Sequence, residues 1–91
     1  MVGTPKGRSL NIIITNALGL HTRPAAGISK IAAQSRSDVT ITKDGERVDA
    51  TSVVDILTLG CAKGSNITVE VKDPRDEWIL AEIKNLLLTK Q

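Results

Sequence analysis

At 91 residues the chain has room for one domain with a small core, and a hydrophobic content of 41% excludes disorder. That content is mostly Ile, Val, Leu and Ala, with one Trp and no Phe or Tyr, and the formal net charge is only +2, which argues against a base-stacking platform or a strong nucleic-acid field. The single cysteine, Cys61, excludes an internal disulfide and fits a reducing compartment, and no apolar run approaches the ~20 residues of a membrane span.

Residues 1–8 read as a flexible lead-in, too poor in apolar residues for a signal peptide, and residues 9–91 as a single domain. A cytoplasmic location is therefore expected. From Ser9 to Thr15, Leu10, Ile12 and Ile14 share one face, a strand pattern that Asn16–Gly19 breaks. From Pro24 the period becomes helical, with Ala25, Ile28, Ile31 and Ala32 opposite Ser29, Lys30 and Gln34. Proline is tolerated in a first helical turn, yet it disfavours helical geometry in the residue before it. The helix start accordingly falls anywhere between His21 and Pro24.

Asp38–Lys43 alternates again, with Val39 and Ile41 inward and Thr40 and Thr42 outward. Asp44-Gly45 signals a hairpin, and Glu46–Asp49 returns as a short strand. Ser52-Val53-Val54-Asp55 has the form of a capping box, predicting a short helix through Leu59 that Gly60 ends. Asn66–Lys72 is a fourth strand, with Ile67, Val69 and Val71 on one face. Asp73-Pro74 then opens a last helix carrying the stripe Ile79, Leu80, Ile83, Leu86 and Leu87. Strand, helix, strand, strand, helix, strand, helix predicts an α+β sandwich, an antiparallel sheet with its helices packed on one face.

His21, the chain's lone histidine, stands beside Arg23 where a strand pattern gives way to a helical one. A neutral imidazole is a competent nucleophile near neutral pH, and a helix N-terminus offers unpaired N–H donors to an anion. Phosphoryl transfer asks a protein mainly for positioning and charge stabilisation. Arg23 could supply a guanidinium and the amides near Thr22 and Arg23 fixed dipoles, while Gly19 would allow the tight turn that projects the ring. A histidine before a helix is more often a cap or a surface residue, and a metal site lacks a second histidine.

The octet Gly19-Leu20-His21-Thr22-Arg23-Pro24-Ala25-Ala26 resembles the signature of the HPr family, the histidine-containing phosphocarriers of the bacterial phosphotransferase system. Thr58-Leu59-Gly60 and Ala62-Lys63-Gly64 resemble the family's segment after the short helix, and the likeness runs from about Leu10 to Leu87. The resemblance implies a four-stranded antiparallel sheet with three helices on one face. It also implies a carrier without cofactor and not an enzyme. His21, at the N-cap of the first helix, would accept phosphate through Nδ1 from Enzyme I, with Arg23 as the phosphate-stabilising arginine. The phosphate would pass to sugar-specific Enzyme IIA components; a regulatory, nitrogen-related branch of the family is the alternative. An RNA-binding sandwich would want exposed strand aromatics and a basic face, and the chain has neither.

The resemblance aligns Ser52 with a serine that a dedicated kinase phosphorylates in some branches. Serine is also a preferred N-cap, which explains Ser52 without a kinase. Thr51 stands where many members have lysine, and Asp55 where a neutral or basic residue is usual, and both count against the regulatory use. A six-residue helix cannot bury Val53, Val54, Ile56, Leu57 and Leu59 together, so part of this set should form an exposed docking patch. Thr22, Arg23, Ala26, Val53, Val54 and Leu57 are the candidate partner-binding residues, for an interface near or below roughly 1,200 Å². A monomer is expected, with neither nucleic acid nor membrane as partner. Cys61 is expected as a small buried hydrophobe, and Trp78 as partly buried at the edge of the last helix.

Overall fold

A computed structural model describes residues 7–89, in which four strands form one antiparallel sheet ordered β1-β4-β2-β3. The strands are β1 (Arg8–Ile13), β2 (Val39–Lys43), β3 (Glu46–Asp49) and β4 (Asn66–Val71). The helices are α1 (Thr22–Ala32), α2 (Val53–Thr58) and α3 (Glu77–Leu88), with a 3-10 turn at Pro74–Asp76 before the last. This is the four-stranded open-faced sandwich with three helices that the sequence implies.

β4 lies in the sheet's interior, and its sequence shows why. Ile67, Val69 and Val71 are buried against the helices, whereas Glu70 on the other face is exposed. Its register sets Val69 between Leu10 and Ile41, so one inward row crosses three strands. On the open face Thr68 lies opposite Asn11 and donates its hydroxyl to the Asn11 side-chain oxygen at 2.6 Å. β2 and β3 join through Asp44 and Gly45, both at positive φ (51° and 83°), the backbone that matches a tight hairpin to strand twist.

The helices close the inner face through Ala25, Ile28, Ala32, Ile56, Ile79 and Ile83, all fully buried. α1 and α3 cross at Gly27, where a β-carbon would stand 2.7 Å from a methyl of Leu86. The α1–β2 connection is pinned by the buried carboxylate of Asp76. It accepts from the Arg36 amide at 3.0 Å, the Ser37 amide at 3.2 Å and the Ser37 hydroxyl at 3.1 Å.

Several boundaries differ from the sequence reading: β2 starts one residue later, at Val39, while α2 and β4 end one residue earlier, at Thr58 and Val71, and three further differences have a physical cause. Arg8, assigned to the lead-in, already pairs with Val71 in β1; residues 1–6 lie outside the described residues. At its other end β1 stops at Ile13, not Thr15: Ile14 is inward and buried, but its amide donates to Ser65 in a loop. Asp73-Pro74 opens the 3-10 turn, and the α-helix begins only at Glu77, after Asp76 has been drawn toward Arg36 and Ser37.

Candidate functional site

His21 is the N-cap of α1, with extended backbone (φ −91°, ψ −170°), and the first helical bond runs from the Ala25 amide to its carbonyl at 3.0 Å. The helix start left open between His21 and Pro24 is thus Thr22. Pro24, third in the helix, has no N–H, so the vacant donors of this terminus are the Thr22 and Arg23 amides. Neither has an acceptor among the described residues, and the His21 side chain makes no cap bond. Its Nε2 is buried and has no hydrogen-bond partner among the described residues, although the residue as a whole is half-buried. Thr22 and Arg23 are exposed, and Arg23 forms no ion pair among the described residues.

The loop beneath this terminus is tightly held. Asn16 accepts from Leu18 through its side chain at 3.0 Å and from Gly19 through its carbonyl at 2.9 Å. Gly19 has φ +68°, and a β-carbon there would run into the Cys61 carbonyl and stand 2.9 Å from Ala62 Cα. Leu20, buried, donates its amide to that same Cys61 carbonyl at 2.7 Å. Two backbone segments, 16–21 and 60–65, therefore meet without intervening side chains.

Lys43, which sequence reasoning passed over, supports the second segment. Its ammonium donates to the carbonyls of Leu59 (3.3 Å) and Gly60 (3.2 Å) at the C-terminal end of α2, where a cation suits the helix dipole. Cys61 is buried as expected, and that burial pushes its thiol pKa up, with the Lys43 ammonium opposing the shift and the Asp44 carboxylate adding to it. Among the described residues no group of His, Cys, Asp and Glu is arranged to hold a metal ion, and no helix is long and apolar enough to cross a membrane.

α2 packs beside α1, and the Ser29 hydroxyl on α1 donates to the Thr51 carbonyl at 2.6 Å. Ser52 caps α2, its hydroxyl accepting from the Asp55 amide at 3.2 Å. The capping box is only half made, because the Ser52 amide donates to the Asp49 carbonyl at 3.2 Å and not to the Asp55 carboxylate. Of the five apolar residues, Ile56 and Leu59 are buried and Val53 is half-buried. Val54 is 70% and Leu57 37% exposed, on one face of the helix. Ala26, one turn into α1, is half-buried, and Trp78 on α3 is 44% exposed.

A histidine heading a helix whose first amides have no acceptor among the described residues, on an open sandwich of this order, is a layout suited to a small phosphoryl carrier. Residues 9–88 match the family model described as the PTS HPr component phosphorylation site, and the chain belongs to this family of phosphotransferase-system phosphocarriers. It is 40% identical over 62 residues to the phosphocarrier protein HPr of Vibrio cholerae, covering 68% of this chain and 73% of that one. It is 38% identical over 71 residues to the phosphocarrier protein NPr of Escherichia coli, covering 77% and 79%. Among solved structures it resembles the histidine-containing phosphocarrier protein of Mycoplasma, with a TM-score of 0.83 at 25% identity over 89% of this chain and 92% of that one. The HPr of Bacillus anthracis superposes with a TM-score of 0.79 at 29% identity, covering 88% and 95%.

Proposed function

We propose that His21 receives a phosphoryl group on Nδ1 from phosphorylated Enzyme I and passes it to Enzyme IIA components of the phosphoenolpyruvate-dependent sugar phosphotransferase system. The observation that carries this reading is the N-terminus of α1, where the His21 side chain makes no cap bond and, among the described residues, the Thr22 and Arg23 amides have no acceptor and Arg23 has no ion pair. The Nδ1 lone pair attacks phosphorus as the bond to the donor breaks and its electron pair returns to the donor. The Thr22 and Arg23 amides and the Arg23 guanidinium meet the equatorial oxygens, stabilising charge that is otherwise met by water. Burial of Nε2 favours Nδ1 as the reacting nitrogen. Onward transfer is the same step reversed toward a new acceptor.

Partners dock over Thr22, Arg23 and Ala26 on α1 and over Val53, Val54 and Leu57 on α2, the carrier working as a cytoplasmic monomer. Ser52 serves primarily as a cap. A phosphate there would stand three residues from the Asp55 carboxylate, a charge that opposes its use by a serine kinase. The likeness to NPr favours a second reading, in which the carrier serves a nitrogen-related branch and signals to other proteins.

The test is mass measurement after incubation with phosphoenolpyruvate and each type of Enzyme I. An acid-labile gain of one phosphate mapped to His21, absent in His21→Ala, is expected. Labelling by the nitrogen-type enzyme alone would select the second reading, and labelling elsewhere would overturn both.

A further inference from the structure

Lys43 closes a chain of bonds that ends at His21. It is the last residue of β2 and stands on the same face as Val39 and Ile41, the face that the helices cover. A lysine at that position points under α2, not into solvent, and its side chain is only 23% exposed. Its ammonium bonds the Leu59 and Gly60 carbonyls; the next carbonyl, of Cys61, receives the Leu20 amide at 2.7 Å. His21 follows directly, its amide donating to Gly19 at 3.1 Å. Gly19 rests on Cys61 and Ala62 with no space for a β-carbon, so any shift of the 60–62 backbone moves the residues before His21. The ammonium also approaches Asp44 at 3.9 Å, but that carboxylate is 86% exposed and the pair holds little in water.

We propose that Lys43 is a positioning residue for phosphoryl transfer: its two bonds fix the Leu59–Cys61 backbone, and that backbone fixes Leu20 and the ring of His21. The inference rests on His21 being the phosphoryl acceptor. Phosphoryl transfer depends on alignment, and a misplacement on the order of 1 Å costs an enzyme about a hundredfold. Loss of one support two bonds removed should cost less, about tenfold.

The test uses the full chain as substrate of Enzyme I, with its concentration varied, in three forms: wild type, Lys43→Met and Lys43→Arg. Lys43→Met keeps the stem and removes the donors; Lys43→Arg keeps donors that reach both carbonyls. Lys43→Met should lower kcat about tenfold with KM unchanged, and should speed hydrogen exchange at the Leu20 amide while the β4 amides stay protected. Lys43→Arg should recover most of both. Wild-type kcat in Lys43→Met overturns the proposal, even if that variant is less stable, because Lys43 would then only cap α2. A rise in KM at unchanged kcat overturns it as well, since Lys43 would then be a docking contact. Failure of the wild-type chain itself to take phosphate on His21 is a separate result: it overturns the reading of His21, and with it the premise, whatever the Lys43 variants do.

Discussion

At the start of α2, Ser52 accepts the Asp55 amide and its own amide is held by Asp49, while the preceding Thr51 carbonyl is tied to Ser29. The start of α1 has none of this: His21 offers no cap bond, the Thr22 and Arg23 amides have no acceptor among the described residues, and Pro24 supplies no third donor. Both termini belong to one domain and lie on adjacent helices, so the contrast does not come from a general looseness of packing. An N-terminus that serves only the fold is closed by a short polar side chain. Left open, the α1 terminus suits the uptake and release of an anion, at a cost in stability of about 1 kcal/mol.

The comparison breaks most decisively at residue 21. His21→Ser should abolish phosphoryl uptake yet raise unfolding stability by about 1 kcal/mol, because serine can accept the vacant Arg23 amide and removes the unpaired Nε2. Urea denaturation of the two forms measures this, and a serine variant no more stable than wild type would show that the open terminus carries no penalty. Arg23→Ala should be the next largest effect. Loss of one preorganised donor to the moving phosphoryl group is expected to slow transfer about a hundredfold, read by rapid quench. Its thermal midpoint should hardly move, since Arg23 has no ion pair among the described residues to lose. An Arg23→Ala variant that transfers at the wild-type rate would leave the phosphate to the amides alone.

Much of this terminus is legible in the sequence. The Gly19–Ala26 octet located it, and the helical stripe from Ala25 to Ala32 showed which side of α1 is buried. Asp44-Gly45 announced its hairpin because two consecutive positive φ angles restrict the residues that can stand there. The state of the ring was not legible: burial of Nε2 depends on contacts between segments that no local pattern records. Asp76 was missed for the same reason, since its partners Arg36 and Ser37 are far away in sequence. Its pull also explains why the last helix begins after Asp76 and not at Asp73-Pro74. Lys43 is a different case. Period-two counting places it with Val39 and Ile41 on the inward side, so its role was available from parity, but a lysine at a strand end is easily taken for a solvated residue.

A milder test works on the closed terminus. Ser52→Ala removes the acceptor of the Asp55 amide and should lower unfolding stability by about 1 kcal/mol while phosphoryl transfer to His21 continues. The two termini would then respond in opposite senses: a polar residue introduced at 21 stabilises and silences, whereas one removed at 52 destabilises and leaves transfer in place. Loss of transfer in Ser52→Ala without loss of stability would mean that the hydroxyl itself touches a partner.

The smallest expected effect concerns a third N-terminus, that of the 3-10 turn leading into α3, which is closed by a charge instead of a hydroxyl. Asp73 accepts the Arg75 amide at 2.9 Å and the Arg75 guanidinium at 2.7 Å, and these bonds, the side-chain ones foremost, hold its carboxyl down to about 2. In the unfolded chain the same group titrates near its reference value of about 3.9. The folded state therefore binds this proton less readily, and the stabilisation is complete above about pH 4 and lost as pH falls toward 2. Asp73→Asn keeps a side-chain acceptor for the Arg75 amide but has nothing to titrate. The difference in stability between wild type and Asp73→Asn should thus stay constant from neutral pH to about pH 4 and shrink below it, as followed by urea unfolding at successive pH values. High salt should reduce that difference too, because the Arg75 guanidinium faces water. A gap that persists unchanged to pH 2 would assign the closure of this turn to hydrogen-bond geometry and not to charge, bringing Asp73 into line with Ser52.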